Sequence, residues 1–191
     1  SNLYEIEEQV TLANKLTSCS FAHKVFFCNS GAEAVECTIK AARRYHFSKG
    51  KPEKTEIITF KGSFHGRTLG TIAAASNSSH LEGFGEPLKG FVSIERNDIN
   101  QLKKACNEKT AAILIEPVQG EGGINVFDRE FINSLQVIAK EMDLLILFDE
   151  VQCGVGRTGK IFAYQWFDIK PDVMALAKGL GGGFPIGACL M

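Results

Sequence analysis

Three stretches of this chain are apolar from end to end: Ala111-Ala-Ile-Leu-Ile115, Leu144-Leu-Ile-Leu-Phe148 and Val173-Met-Ala-Leu-Ala177. A strand with one wet face alternates apolar and polar residues, so runs without alternation belong to strands covered on both sides. Segments with helical spacing lie between them, and strands of this kind alternating with helices imply a mainly parallel sheet with helices on both faces, an α/β layer fold. Each run also ends in a polar group. Glu116 follows the first, Asp149 the second, and Lys178 the third, just ahead of Gly179-Leu-Gly-Gly-Gly183. Open α/β sheets bind ligands beyond the C-terminal ends of their strands, so this pattern delivers a carboxylate and an amine to one edge.

The remaining elements fit the same layers. Residues 4–18, with Leu3 just ahead of them, carry Ile6, Val10, Leu12, Ala13 and Leu16 at helical spacing, with Glu5, Glu7 and Glu8 early, where they suit the helix dipole. A short strand over 25–28, a turn at 29–31 and a helix over 32–47 make the first βα unit. Strands are expected at 56–60 and, at an edge, 91–94; helices are expected over 68–75, 98–107 and 128–142. The polar, glycine-bearing stretch 76–90 has no clear period and reads as loop.

At 191 residues the chain is long enough for one well-buried core and a little short for two. A net charge of −1, with 45% hydrophobic and 23% charged residues, gives no electrostatic case for nucleic acid or an anionic membrane. Neither a signal peptide nor a run of membrane-spanning length is present, so a cytoplasmic enzyme of small molecules is expected. The six cysteines contain no C-x-x-C pair, which points to free thiols in a reducing compartment and to no metal site. Residues 184–191 stop inside a strand-like run, so the chain is expected to be truncated at both ends.

The polar groups at the sheet edge suggest a particular chemistry. A carboxylate behind five apolar residues sits near a dry interior and calls for a cationic partner, and a protonated ring nitrogen would serve at Asp149. Gln152 could then reach a ring hydroxyl. Apolar neighbours and glycine are expected to desolvate Lys178, favouring the free amine that attacks an aldehyde. A lysine that holds the aldehyde and an aspartate that keeps the pyridine nitrogen protonated are what pyridoxal 5'-phosphate requires.

Asn29-Ser-Gly-Ala-Glu-Ala34, between a strand and a helix, offers the amides of Gly31 and Ala32 to a phosphate, although Ser30 as a plain helix cap explains it equally. Phe64-His-Gly-Arg67 supplies a ring to stack and a guanidinium to grip a carboxylate, or else a core residue and a solvated charge. Gly154-Val-Gly-Arg-Thr-Gly159 matches a dinucleotide motif and, with Lys160, nearly a phosphate-binding loop. Both fail on context: the glycines do not follow a strand directly, and Ile161 stands where a metal-binding hydroxyl is needed.

Taken together, Asn29-Ser-Gly-Ala-Glu-Ala34, Phe64-His-Gly-Arg-Thr68, Glu116-Pro-Val-Gln-Gly-Glu-Gly-Gly123, Asp149-Glu-Val-Gln152, Gly156-Arg-Thr-Gly159 and Ala177-Lys-Gly179 resemble, in order and over essentially the whole chain, the class III pyridoxal phosphate-dependent aminotransferases. The resemblance implies the large domain of fold-type I pyridoxal phosphate enzymes across 1–191, without the N-terminal segment and the C-terminal small domain. It implies that Lys178 binds the cofactor aldehyde, Asp149 the ring nitrogen and Gln152 the ring hydroxyl, with Glu150 and Val151 beside them. Phe64 would stack on the ring, Gly31 and Ala32 would hold the phosphate, Arg67 would bind the substrate α-carboxylate, Glu121 would sit near the entrance and Glu116 behind the site. Ser1-Asn-Leu-Tyr4 and the Phe64-His65 pair resemble the branch that transfers the amino group of N-acetylornithine to 2-oxoglutarate in arginine biosynthesis, whereas the ornithine branch usually carries Trp at the position of His65. Succinyl-diaminopimelate, ornithine and 4-aminobutyrate are the alternative donors, and a non-catalytic binding protein of the same fold is the remote alternative. The family forms homodimers, and a partner residue completes the phosphate site, so the isolated chain is expected to be inactive or nearly so.

Overall fold

The computed structural model describes residues 3–191; Ser1 and Asn2, half of the opening motif, lie outside the described residues. Among the described residues, nine strands follow in the order β1 (Val25–Cys28), β2 (Glu56–Phe60), β3 (Phe91–Ile94), β4 (Thr110–Ile115), β5 (Val118–Gln119), β6 (Asn125–Val126), β7 (Leu145–Asp149), β8 (Val173–Leu176) and β9 (Gly187–Leu190). Seven of them form one sheet in the order β1-β9-β8-β7-β4-β2-β3, and β5 pairs with β6 in a separate ladder. Only β9 runs antiparallel to its neighbours; every other pairing in the large sheet is parallel.

The apolar runs divide their side chains by the two-residue period of a strand. Ile57, Leu114, Leu147 and Ala175 face one side and join Ala34, Val35, Ile39 and Ala42 of helix α2 (Gly31–Ser48), where α1 is Glu7–Ser18. Ile58, Ile113, Ile115, Phe148, Met174 and Leu176 face the other side. There they meet Leu102 of α5 (Ile99–Ala105) and Phe131, Ile132, Leu135 and Ile138 of α6 (Arg129–Glu141). Two covered faces explain why these strands contain no polar alternation, and the expected α/β sheet is what forms.

Several boundaries differ from expectation. Helix α1 starts at Glu7 instead of residue 4, with Ile6 extended at its cap and no side-chain acceptor there. Helix α3 (Leu69–Ala75) starts where Thr68 and Thr71 form a reciprocal capping box. The stretch read as loop contains one turn of helix, α4 (Ser78–Leu81), capped by the Asn77 side chain. The β5–β6 ladder has two residues per strand, too short for any periodic signal. All six cysteines are free. No helix among the described residues is long and apolar enough to cross a membrane, and no group of three or more His, Cys, Asp or Glu among them could hold a metal ion.

Candidate active site

Parallel pairing places Asp149 opposite Ala175, at the C-terminal ends of β7 and β8, and Lys178 follows three residues after Ala175. Both side chains line one cleft of about 330 Å³, together with Gly31, Ala32, Phe64, His65, Glu116, Glu121, Val151 and Gln152. Most residues chosen from sequence therefore meet in one place.

The first turn of α2 forms one wall. The Ser30 side chain accepts from the Glu33 amide at 3.2 Å, and the Glu33 carboxylate reaches back to the Asn29 amide at 2.9 Å. These bonds occupy the turn's outer donors, while Gly31 and Ala32 have no acceptor within the helix and line the cleft. Gly31 is required there: a Cβ on it would stand 2.6 Å from Cγ1 of Val151 and 3.3 Å from the Ala177 methyl group. Ser30 is thus a helix cap, and the turn it caps still presents amides to an anion.

The opposite wall rests on buried acids. Asp149 is 2% exposed. Its Oδ2 accepts a 2.7 Å bond from Nδ1 of His65, and its Oδ1 accepts from the Val151 amide at 3.1 Å. Glu116 accepts from the Phe64 amide at 2.9 Å and from the Gly120 amide at 3.4 Å, so it braces both loops that border the cleft. Burial, and then the neighbouring Asp149 charge, push its pKa up to about 7. Gln152 packs so closely on Gly120 that a Cβ on that glycine would overlap its Oε1.

Three chosen residues are placed differently from expectation. Glu150 is fully buried, but its two oxygens accept from the amides of Ala163 and Tyr164 at 2.6 and 2.7 Å. Successive side chains of an extended segment point to opposite sides, so Glu150 turns under the sheet edge and away from the cleft while Asp149 faces it. Burial raises its pKa to about 7. Arg67 is exposed and lies outside the cleft wall, with its guanidinium 5.5 Å from the centroid of Phe64. Lys178 is exposed where desolvation was expected, because β8 ends at Leu176 and Lys178 opens a one-turn helix beside the glycine run. Its backbone has φ 43, a left-handed conformation that is sparsely populated for a residue with a side chain.

His65 is the residue that sequence reasoning undervalued. In the sequence it marks only a branch of the family, yet it is 2% exposed and bonded to Asp149, and its other nitrogen, Nε2, is buried with no partner. A histidine between Phe64 and Gly66, in a loop after a strand, carries no local pattern announcing an acid partner 84 residues away.

The nucleotide-motif glycines occupy turns between β7 and a one-turn helix at Ala163–Trp166. Lys160 donates to the Gln165 carbonyl at 2.8 Å and lies over the Trp166 ring, and Gly154 is a glycine because a Cβ there would stand 2.7 Å from the Glu150 carbonyl.

The donor set suits pyridoxal phosphate. Asp149 is buried beside one imidazole with Glu116 as a neighbouring acid, and a protonated ring nitrogen at Asp149 would offset the charge buried there. Amides at a helix start suit a phosphate, and Phe64 and Val151 supply apolar walls for a flat ring. A sheet-edge cleft with a buried acid, an amine and an open helix start on an α/β fold is a site of the kind that pyridoxal phosphate fits.

The chain belongs to the class III aminotransferase family, whose pattern it matches over residues 1–191. The family uses pyridoxal phosphate as its cofactor. The chain is 60% identical over 190 residues to acetylornithine aminotransferase of Agrobacterium fabrum and 51% identical over 191 residues to that of Aquifex aeolicus. All of this chain is covered in both comparisons, but only 48% and 50% of those proteins, so it spans about half the length of the curated relatives it matches. Among solved structures, N-acetylornithine aminotransferase of Stenotrophomonas maltophilia superposes with a TM-score of 0.83 at 40% identity, covering 98% of this chain and 46% of that one. An amine transaminase from an uncultivated Pseudomonas species, in its pyridoxal phosphate-bound form, gives 0.92 at 27% identity, with coverage of 98% and 48%.

Proposed function

We propose that residues 1–191 act as the cofactor-binding large domain of an aminotransferase that moves the amino group of N-acetylornithine to 2-oxoglutarate, in arginine biosynthesis. The observation that carries the reading is the convergence of Asp149, Lys178 and the first turn of α2 on one cleft at the C-terminal sheet edge. The acetylornithine aminotransferases at 50 to 60% identity over the chain support the donor.

In this reading Gly31 and Ala32 hold the phosphate, Phe64 and Val151 enclose the ring, Asp149 takes the ring nitrogen and Gln152 the ring hydroxyl. Bound pyridoxal phosphate supplies an electron sink for the charge that develops when the amine-bearing carbon loses its proton. Asp149 keeps its orientation through two hydrogen bonds, from His65 and from the Val151 amide, so its carboxylate is fixed before any ligand arrives. Lys178 Nζ is the amine that would hold the cofactor's aldehyde, and it would also serve as the acid–base group that moves the proton of the donor's amine-bearing carbon. Its exposure at the cleft mouth gives it the freedom to swing between those roles. Arg67, at the rim beside Phe64, receives the α-carboxylate, and Glu121 borders the entrance. The protein works in the cytoplasm as a homodimer whose partner subunit completes the phosphate site.

A donor panel of N-acetylornithine, succinyl-diaminopimelate, ornithine and 4-aminobutyrate, each with 2-oxoglutarate, run on the full-length protein and assayed for glutamate, tests the reading. N-acetylornithine should give the highest kcat/KM. Preference for another donor would refute the substrate, and no glutamate from any donor in a pyridoxal phosphate-loaded homodimer would refute the reaction.

A further inference from the structure

Two separate segments carry the groups assigned above to the phosphate and to the ring face: the first turn of α2, with Gly31 and Ala32, and the 64–67 loop after β2. Strand pairing does not set the distance between them. β1, which leads into α2, and β2 are separated in the sheet by β9, β8, β7 and β4. The Glu116 and His65 bonds tie the 64–67 loop to the sheet edge, and a further contact joins the loop directly to α2.

The direct contact is built from Glu36, in the second turn of α2. Its Oε1 accepts a 2.5 Å bond from the hydroxyl of Thr68, the residue that follows Arg67 and caps α3. A carboxylate only accepts, so the Thr68 hydroxyl proton goes to Glu36. The Thr71 hydroxyl accepts from the Thr68 amide at 3.0 Å and has both Thr68 Oγ1, at 2.9 Å, and the Thr68 carbonyl, at 3.2 Å, within reach of its own proton. Two glycines let the segments approach. A Cβ on Gly70 would stand 2.5 and 2.9 Å from the two Glu36 oxygens, so the carboxylate lies against a residue with no side chain. A Cβ on Gly66, whose φ is +126, would stand 2.8 Å from the Ala32 methyl group and 2.9 Å from the Thr71 hydroxyl. Ala32, assigned to the phosphate, is therefore the surface on which the Phe64 loop rests.

We propose that Glu36 is a positioning residue for the cofactor cleft: its bond to Thr68 locks the 64–68 segment onto the first turn of α2 and sets the gap between the phosphate-binding amides and the Phe64 ring. The proposal rests on reading the cleft as a pyridoxal phosphate site. Glu36 touches no ligand, and its effect is transmitted through Thr68, Gly66 and Ala32.

The test titrates pyridoxal phosphate into the protein and records affinity together with the visible circular dichroism of the bound cofactor, which reports how the ring is held and is insensitive to a uniform loss of stability. A hydrogen bond to a charged group corresponds to roughly a tenfold change in an equilibrium constant or more. Glu36→Ala should therefore weaken binding about tenfold and reduce the dichroic band, and Glu36→Gln, which keeps a carbonyl acceptor, should recover most of both. Thr68→Val, which also removes the α3 cap, should lose at least as much as Glu36→Ala, and the double variant Glu36→Ala with Thr68→Val should be little worse than Thr68→Val alone, because the bond they share is already gone. Wild-type affinity and dichroism in folded Glu36→Ala, or losses that multiply in the double variant, would overturn the proposal. Should Glu36→Ala fail to fold, Thr68→Val with wild-type affinity and dichroism does the same. A wild-type protein that takes up no pyridoxal phosphate would overturn the functional reading and this proposal together, an outcome distinct from a failure confined to the variants.

Discussion

Replacing His65 with Phe removes one of the two hydrogen bonds on Asp149 while roughly keeping the volume of the side chain. The bond is 2.7 Å long, and the two side chains are 0% and 3% exposed, so solvent cannot replace it. A hydrogen bond to a charged group contributes about 1.5–3 kcal/mol, and leaving a buried charge without its partner costs about 3–5 kcal/mol. Asp149 keeps the Val151 amide at 3.1 Å, which argues for the low end of the second range, about 3 kcal/mol in the cofactor-free protein. With pyridoxal phosphate bound, the ring nitrogen supplies a second partner, and the cost should fall to about 1–2 kcal/mol. Urea unfolding of wild type and His65→Phe, with and without saturating cofactor at one pH, measures both numbers. A cofactor-free cost below about 1 kcal/mol, or the same cost in both states, would show that the bond neither compensates Asp149 nor prepares it for a ring nitrogen.

Glu116 gives a pH signature. Its folded pKa, raised from the ordinary 4.5 to about 7 chiefly by burial, means that the folded state holds the extra proton; the penalty is absent below about 4.5, grows through that window and is complete above about 7. Glu116→Gln, compared with wild type in urea unfolding, should gain stability as pH rises from about 4.5 to about 7, by at most about 3 kcal/mol, and a pH-independent difference would refute the assignment. Among the thiols, a hydrogen bond from Cys189 holds Cys37 down to about 7, while burial pushes Cys153 up. Iodoacetamide at neutral pH should therefore label Cys37 well before Cys153, read by peptide mapping, and the reverse order would contradict it.

The parts of the fold that were legible in the sequence are those whose signal is long and physical. Runs such as 111–115 and 144–148 are apolar because both sheet faces are covered, and the alternation of α2 and α6 with them follows from burial at helical spacing. What escaped depends on single contacts. The β5–β6 ladder and α4 are too short to carry a period, and α4 exists through one Asn77 cap. At the site, Asp149 and Lys178 were visible because strands deliver them, but the neighbouring Glu150 serves a turn at 163–164 that adjacency alone could not exclude. Lys178 is exposed because of where β8 stops, a boundary that an apolar run reaching Ala177 does not mark. The His65 bond to Asp149 joins loops from distant strands, and only the folded chain reveals it.

The claim on which the rest depends is that the amine of Lys178 and the carboxylate of Asp149 serve one cofactor. Incubation with pyridoxal phosphate, borohydride reduction and peptide mass mapping tests it directly. The expected result is a single reduced adduct on Lys178, absent in Lys178→Ala and reduced in yield in Asp149→Ala. An adduct on another lysine, or none on Lys178 in the folded, cofactor-saturated protein, would contradict it.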